Sequence, residues 1–400
     1  MVRAILGCVD AALRWRCAAF LIAMLGTATA AQSAETIQTP VQQAVLMDSD
    51  TGTLLFEKNA RVPAAPASLA KLMTAEVLFN EIKEGHLTLD REFPISENAW
   101  RNGGAPSGGS TMFAKIHSQI SIADLISGLV VLSANDAAIA IAEGIAGSEE
   151  AFAERMTRRA RELGLMNSVF KNASGAEDPQ QRSTALDLAL LARHIIRTYP
   201  DLYKFFGQKE FTWNKIRQLN RNPLLTMDIG ADGLKTGFLE ESGYGLVGSA
   251  VQNGERLIVV INGAATSKDR MNEGRKLLDF GFRAFEEQEL FPEGTIVAQA
   301  SVYGGEKPYV DLRAAEPIRV MTQRGARERL SAKLVYEGPL RPPVTAGTKV
   351  GVLRVYEGEA QILEVPLFTA EAVGQGGLTR QARDALVEAG SGAIRRLLKR

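Results

Sequence analysis

The chain has 400 residues, 46% apolar and 23% charged, with Lys plus Arg and Asp plus Glu balanced at 46 each. This composition excludes a disordered chain and supplies core material for two or three domains. A formal net charge of zero leaves no global field to recruit nucleic acid or a bulk anionic surface, so electrostatic partners must be sought locally.

Arg3, Arg14 and Arg16 accompany an apolar run from Cys17 to Gly26, and the small residues Ala28, Thr29, Ala30 and Ala31 follow. That is the pattern of a secretory signal with an A-x-A cleavage site, cut anywhere up to Ala34. The alternative is an uncleaved anchor, for which the run is short. Both cysteines, Cys8 and Cys17, precede the cleavage region. The mature chain is therefore expected to have no disulfide, no thiolate nucleophile and no cysteine-bound metal. No second long apolar run occurs, so no internal transmembrane helix is expected.

Gln43 to Met47 and Thr53 to Phe56 read as strands joined at Asp48-Ser49-Asp50-Thr51-Gly52. From Pro66 the pattern turns helical, with Leu69, Leu72, Met73 and Val77 on one face. A second helix follows a capping box at Ser121 and Asp124, breaks at Ser133-Ala134-Asn135-Asp136, and resumes to about Ala146. Asn135 or Asp136 is the expected cap of the resumed helix. Further helices are expected over Glu150 to Leu163 and Thr184 to Thr198. Strands return from Ala231, and Asn253-Gly254 marks a hairpin between Leu246–Val251 and Arg256–Ile261. Asp269 to Phe285 is helical. Strands at both ends with helices between predict an α+β domain whose antiparallel sheet is built from the terminal strands.

After Phe291-Pro292-Glu293-Gly294 come short β runs at Ile318–Thr322, Leu330–Tyr336, Lys349–Tyr356 and Gln361–Leu367, a small all-β domain. The tail from Leu378 carries an alanine-rich stripe opposed by Arg380, Arg383, Arg395, Arg396, Lys399 and Arg400. Such a basic amphipathic helix either lies on an anionic membrane surface or docks on the protein. The expected division is 1–34 signal peptide, 35–288 catalytic domain, 289–372 β domain and 373–400 tail helix.

Three triplets occur in order: Ser68-Leu69-Ala70-Lys71, Ser133-Ala134-Asn135 and Lys235-Thr236-Gly237. Together they form the S-x-x-K, S-x-N and K-T-G set of serine acyl-transfer enzymes. A serine hydroxyl needs a base, and a lysine three residues on, in a helix, lies on the same face. That lysine serves only if neutral, so burial and nearby positive charge, supplied by Lys235, should lower its pKa. Each triplet alone is a weak signal. Ser168-Val169-Phe170-Lys171 and Ser96-Glu97-Asn98 also match, but the first lies in a segment without a helical stripe and the second in a polar stretch without a preceding helix. His86, His117 and His194 form no metal-ligand pair, and no G-x-S-x-G elbow occurs. No metal and no cofactor are expected.

With these residues in view, the chain resembles the low-molecular-mass penicillin-binding proteins, the D-alanyl-D-alanine carboxypeptidases. Residues Pro66 to Thr74, Ser133 to Ala137, Ile216 to Asn222 and Asp232 to Gly237 carry the resemblance, which spans about 41 to 290. It implies a penicillin-binding/β-lactamase-like α+β fold followed by a small all-β domain and a C-terminal amphipathic helix. The implied substrate is the peptidoglycan stem peptide ending in D-Ala-D-Ala, with β-lactams as covalent inhibitors. The implied location is periplasmic, at the outer face of the inner membrane. Ser68 is the implied nucleophile, Lys71 its base and Ser133 a proton relay to the leaving D-alanine. Asn135 would hold the peptide amide, while Lys235, Thr236 and Arg221 would bind the terminal carboxylate. Gly237 completes the third triplet, and the N–H groups of Ser68 and Phe238 would hold the oxyanion. Two features depart from the family: Phe238 stands where His or Thr is usual, and the loop Asn172 to Thr184 has no histidine. The rival functions are a β-lactamase of the same fold, with Glu177 in the right interval, and a non-catalytic wall-binding scaffold.

Overall fold

A computed structural model describes residues 37–324 and 330–381. The signal segment and most of the tail helix therefore lie outside the described residues. In chain order the first elements are β1 (Gln43–Asp48), β2 (Leu54–Lys58), α1 (Lys71–Lys83), β3 (Glu92–Pro94), β4 (Gln119–Ser121), α2 (Ile122–Val131), α3 (Asn135–Ala146), α4 (Glu149–Glu162), α5 (Ala185–Thr198) and the single turn α6 (Pro200–Tyr203). Then come the hairpin β5 (Glu210–Trp213) and β6 (Ile216–Leu219), the strands β7 (Ala231–Leu239), β8 (Gly243–Gln252) and β9 (Glu255–Ala264), and α7 (Ser267–Ala284).

The central sheet has the order β2-β1-β9-β8-β7, antiparallel throughout. It unites the strands from the two ends of the domain, as the sequence pattern predicts. Every residue of β1 is buried, because the sheet is covered on both faces. Val45 and Met47, with Ile258 and Val260 of β9, face the core shared with α1–α5. Ala44 and Leu46, with Leu257, Val259 and Ile261, face the core shared with α7. The period of two thus distributes one strand between two cores. Asn253 and Gly254 both adopt positive φ, 52° and 87°, the tight hairpin their sequence encodes.

Two local expectations are corrected. The helix expected from Pro66 begins as a 3₁₀ turn, Ala67–Ala70, and becomes α-helical only at Lys71. In a 3₁₀ turn residues i and i+3 eclipse, which aligns Ser68 and Lys71 more closely than an α-turn would. The N-cap of α3 is Ala134, without a side-chain cap; Asn135 and Asp136 are its first two helical residues. The Asp136 carboxylate instead accepts from Met112 N, Ala114 N and Thr111 Oγ1 at 3.1, 3.1 and 2.6 Å, tying down the loop over α3. Ser121 caps α2 as its motif predicts, accepting from Asp124 N.

Beyond α7 lie β10 (Phe285–Phe291), β11 (Ala298–Ser301), β12 (Tyr309–Arg313), β13 (Ile318–Gln323), β14 (Leu330–Tyr336), β15 (Lys349–Glu357) and β16 (Ala360–Thr369). They form an antiparallel sheet β11-β12-β16-β15-β14 and a ribbon β10-β13 around a separate core that includes Val310, Leu312, Val320 and Leu367. The strand segments named above from β13 to β16 are all present; β10 to β12 were not named, although β12 alternates between buried Val310 and Leu312 and their less buried neighbours. Contact with the first domain runs through Thr53 Oγ1, which accepts from Met321 N at 3.1 Å, and the Arg197–Glu316 ion pair at 3.5 Å.

Candidate active site

The site lies where the 3₁₀ turn, the α2–α3 break and β7 converge. Ala67, just before the serine, has φ 51°. Strand β7 packs directly on this turn: a Cβ added to Gly237 would stand 3.2 Å from Ala67 Cβ and from Pro66 O. The third triplet thus needs its glycine for close approach. On the other side, a Cβ on Gly175 would stand 2.0 Å from Ala67 O, so the turn is clamped between two glycine-bearing segments.

Lys71 Nζ donates to Ser68 Oγ at 3.2 Å and to Asn135 Oδ1 at 2.7 Å, and also to the carbonyl of Ser174. The side chain is buried, at 1% exposure. Burial pushes its pKa down to about 7, against the opposing pull of Asp136 and Glu149. Of the two causes anticipated from the sequence, burial is the agent, and the positive charge of Lys235 is not. That repulsion is seen instead at Lys235, which burial first, and then Lys71, Arg270 and Arg221, hold well below the usual lysine range. Lys235 Nζ donates to Ser133 Oγ at 2.8 Å and to Thr236 O at 2.9 Å. Ser133 holds φ 60° at the helix break, a left-handed conformation uncommon for a non-glycine residue. Such an outlier is more often found at working sites than elsewhere.

The structure therefore brings Ser68, Lys71 and Asn135 into one bonded cluster and Ser133 with Lys235 into a second. Thr236 is buried beside them in β7. Phe238 is 47% exposed, its ring tilted by 33° against that of Tyr244 at 4.3 Å between centroids. Arg221 is exposed and its guanidinium reaches Gln218 Oε1 at 3.4 Å; among the described residues it forms no ion pair.

The lookalike triplets are occupied elsewhere. Ser168 is buried and donates to Asp187 Oδ2 at 2.7 Å, while Lys171 is exposed. Ser96 Oγ accepts from Ala99 N at 2.9 Å. Glu177 is exposed. His194 bonds to the buried Glu76, within the core.

Four contributors were given no part in the site by sequence reasoning, although Asp136 lies within the Ser133–Ala137 run. Ser174 offers a backbone oxygen, which no side-chain pattern can signal. Asp136 and Glu149 act through their charge on Lys71. Arg270, in the first turn of α7, lies over the Tyr244 ring, 5.6 Å from its centroid, with its Nε buried and unpartnered. A capping Thr266 before it was the only local signal.

The family model described as "D-alanyl-D-alanine carboxypeptidase" matches residues 28–266, and that of "Penicillin-binding protein 5, C-terminal domain" matches 285–375. The chain is 40% identical over 366 residues to D-alanyl-D-alanine carboxypeptidase DacC of Escherichia coli (strain K12), covering 90% of this chain and 91% of that protein. It is 36% identical over 380 residues to DacA of Haemophilus influenzae, covering 92% and 96%. Among solved structures, penicillin binding protein 5 from Haemophilus influenzae aligns with a TM-score of 0.72 at 36% identity, covering 85% of this chain and 99% of that one. Penicillin binding protein 6B from Escherichia coli aligns with a TM-score of 0.66 at 33% identity, covering 85% and 98%. The chain belongs to the D-alanyl-D-alanine carboxypeptidase family.

Proposed function

We propose the following division of labour in this enzyme, a serine-type D-alanyl-D-alanine carboxypeptidase that removes the terminal D-alanine from peptidoglycan stem peptides. Ser68 Oγ adds to the penultimate carbonyl carbon, and its proton passes to neutral Lys71 Nζ. The carbonyl oxygen takes the negative charge and rests on the N–H groups of Ser68 and Phe238, each such donor worth about 3 kcal/mol. The C–N bond then breaks as Ser133, hydrogen-bonded by Lys235, delivers its proton to the departing D-alanine amine and takes in its place the proton that Lys71 removed from Ser68, which leaves Lys71 neutral again. Water hydrolyses the ester on Ser68 and regenerates the enzyme.

Asn135 already accepts from Lys71 through Oδ1, which leaves its Nδ2 to donate to the substrate peptide. The terminal carboxylate binds among Lys235, Thr236, Arg221 and Arg270. The charges that bear most on Lys235 are all positive, and an incoming carboxylate would supply the missing counter-charge and favour its protonated form. β-Lactams acylate Ser68 by the same addition, the lactam C–N bond opening in place of the peptide bond.

One observation carries this reading: a buried lysine with a pKa of about 7, its amine 3.2 Å from a partly exposed serine oxygen. The test is incubation with a labelled penicillin and mass spectrometry of the adducted peptide, together with D-alanine release from a pentapeptide. Label on the Ser68 peptide, and loss of both signals in Ser68→Ala, are expected. Fast turnover of the penicillin would favour a β-lactamase, and muropeptide binding without D-alanine release would favour a scaffold.

For the rest of the chain the reading is export through residues 1–34 to the cell-wall compartment, with catalysis in 35–288. Residues 289–372 position that domain, and the basic segment 373–400 attaches to the inner membrane's outer face. The opposed charges of the tail support the last point.

A further inference from the structure

Strand β7 is the free edge of the central sheet. Phe238 lies on it directly after Gly237 and pairs with Tyr244 on β8. Because side chains alternate across a strand, Phe238 and Thr236 share a face, opposite to Lys235. That face is covered by α7, whose first turn bears Arg270. Tyr244 touches both neighbours: its ring centroid is 4.3 Å from that of Phe238, tilted by 33°, and 5.6 Å from the Arg270 guanidinium carbon.

A guanidinium with a buried, unpartnered Nε has little in the protein to hold its orientation. Among the described residues no carboxylate pairs with Arg270. Its guanidinium instead lies over the Tyr244 face, and that ring's aromatic neighbour is Phe238. Phe238 itself is 47% exposed, so it stands between Tyr244 and solvent only in part. Shielding from water strengthens a charge–charge contact.

We infer that the Phe238 side chain is a positioning residue for carboxylate recognition, holding Tyr244 so that Arg270 is preorganised for the substrate's terminal carboxylate. This rests on the carboxylate site given under the proposed function, and deepens it. The side chain acts through Arg270 and is distinct from the Phe238 backbone N–H, which any residue at this position would supply. Its effect therefore belongs to ligands that bear the anion and vanishes when the anion is masked.

The experiment compares second-order acylation of Ser68 by benzylpenicillin and by its methyl ester, in the full-length protein. The quantity read is the ratio of acid to ester rates. In Phe238→Ala this ratio should fall about three- to tenfold, the range of an aromatic pair. Phe238→Tyr, which keeps the ring, should restore it. Arg270→Gln should lower the ratio further, and adding Phe238→Ala to Arg270→Gln should lower it no more. An equal loss on acid and ester in Phe238→Ala, or an additive double variant, would overturn the inference. Where the alanine variant does not fold, Phe238→Leu against Phe238→Tyr gives the same contrast. If the wild-type protein takes no adduct at Ser68 from benzylpenicillin, the proposed function fails rather than this inference.

Discussion

Acylation of Ser68 should follow the protonation of Lys71, and the structure sets the scale. With a pKa of about 7, half of the enzyme holds a neutral amine at pH 7, about one-tenth at pH 6 and about one-hundredth at pH 5. An unperturbed lysine, near 10.4, would be neutral in only about one molecule in 2,500 at pH 7. Burial therefore makes a neutral Lys71 amine, the form in which the proposed base works, roughly a thousandfold more available. The base works deprotonated, so the rate is present above the folded pKa and lost as pH falls through it. Stopped-flow acylation by a chromogenic β-lactam across pH 5 to 10 should rise with unit slope and level off above about 8. A rate still climbing log-linearly past pH 9 would mean that desolvation is not what activates this lysine. Two variants sharpen the assay. Lys71→Arg keeps a cation that cannot deprotonate and should lose about 10²- to 10⁴-fold. Glu149→Gln removes one of the two carboxylates that hold the Lys71 pKa up, so the inflection should move to lower pH. The same group predicts a stability trend. Between pH 7 and 10 the unfolded chain binds the proton that folded Lys71 has released, so this residue's contribution to stability should grow as pH rises through that window.

Ser133→Ala should slow D-alanine release by about 10²- to 10⁴-fold while leaving the Lys71 inflection in place, because Ser133 is bonded to Lys235 and not to Lys71. Gly175→Ala places a Cβ 2.0 Å from Ala67 O at φ +77°; a loss of about 3 kcal/mol or more, visible as a melting-temperature drop of order 10 °C, is expected. A drop of only a degree or two would show that the turn bearing Ser68 is loosely held. Glu76 is fully buried, and although burial would raise its pKa, hydrogen bonds from His194 and Arg159 outweigh this and hold it below the usual range. Glu76→Gln should cost about 3 kcal/mol by denaturant titration at pH 7. The difference from wild type should shrink in acid, since a depressed carboxylate loses its contribution as pH falls through its folded value.

Much of this protein is written locally. The short apolar runs of β1 and β9, the Asn253-Gly254 turn and the Ser121 cap depend on neighbours a few residues apart, and each is recoverable by reading along the chain. The triplets are recoverable for a related reason: a serine and lysine three positions apart share one helical turn wherever the local pattern is helical, as it is from Pro66 and is not at Ser168. What required the tertiary structure is everything set by packing between distant segments. The close seat of Gly237 and Gly175 against Ala67, on either side of that turn, joins segments far apart in the chain. The depressed pKa of Lys71 comes from burial, which is a property of all the elements enclosing it. The oxygen of Ser174 and the guanidinium of Arg270 reach the site from 103 and 199 positions beyond Lys71 (174 − 71 and 270 − 71), and nothing in their immediate sequence distinguishes them. Sequence decides which chemical groups exist and which neighbours they keep; only the closed fold decides which charges lose their water.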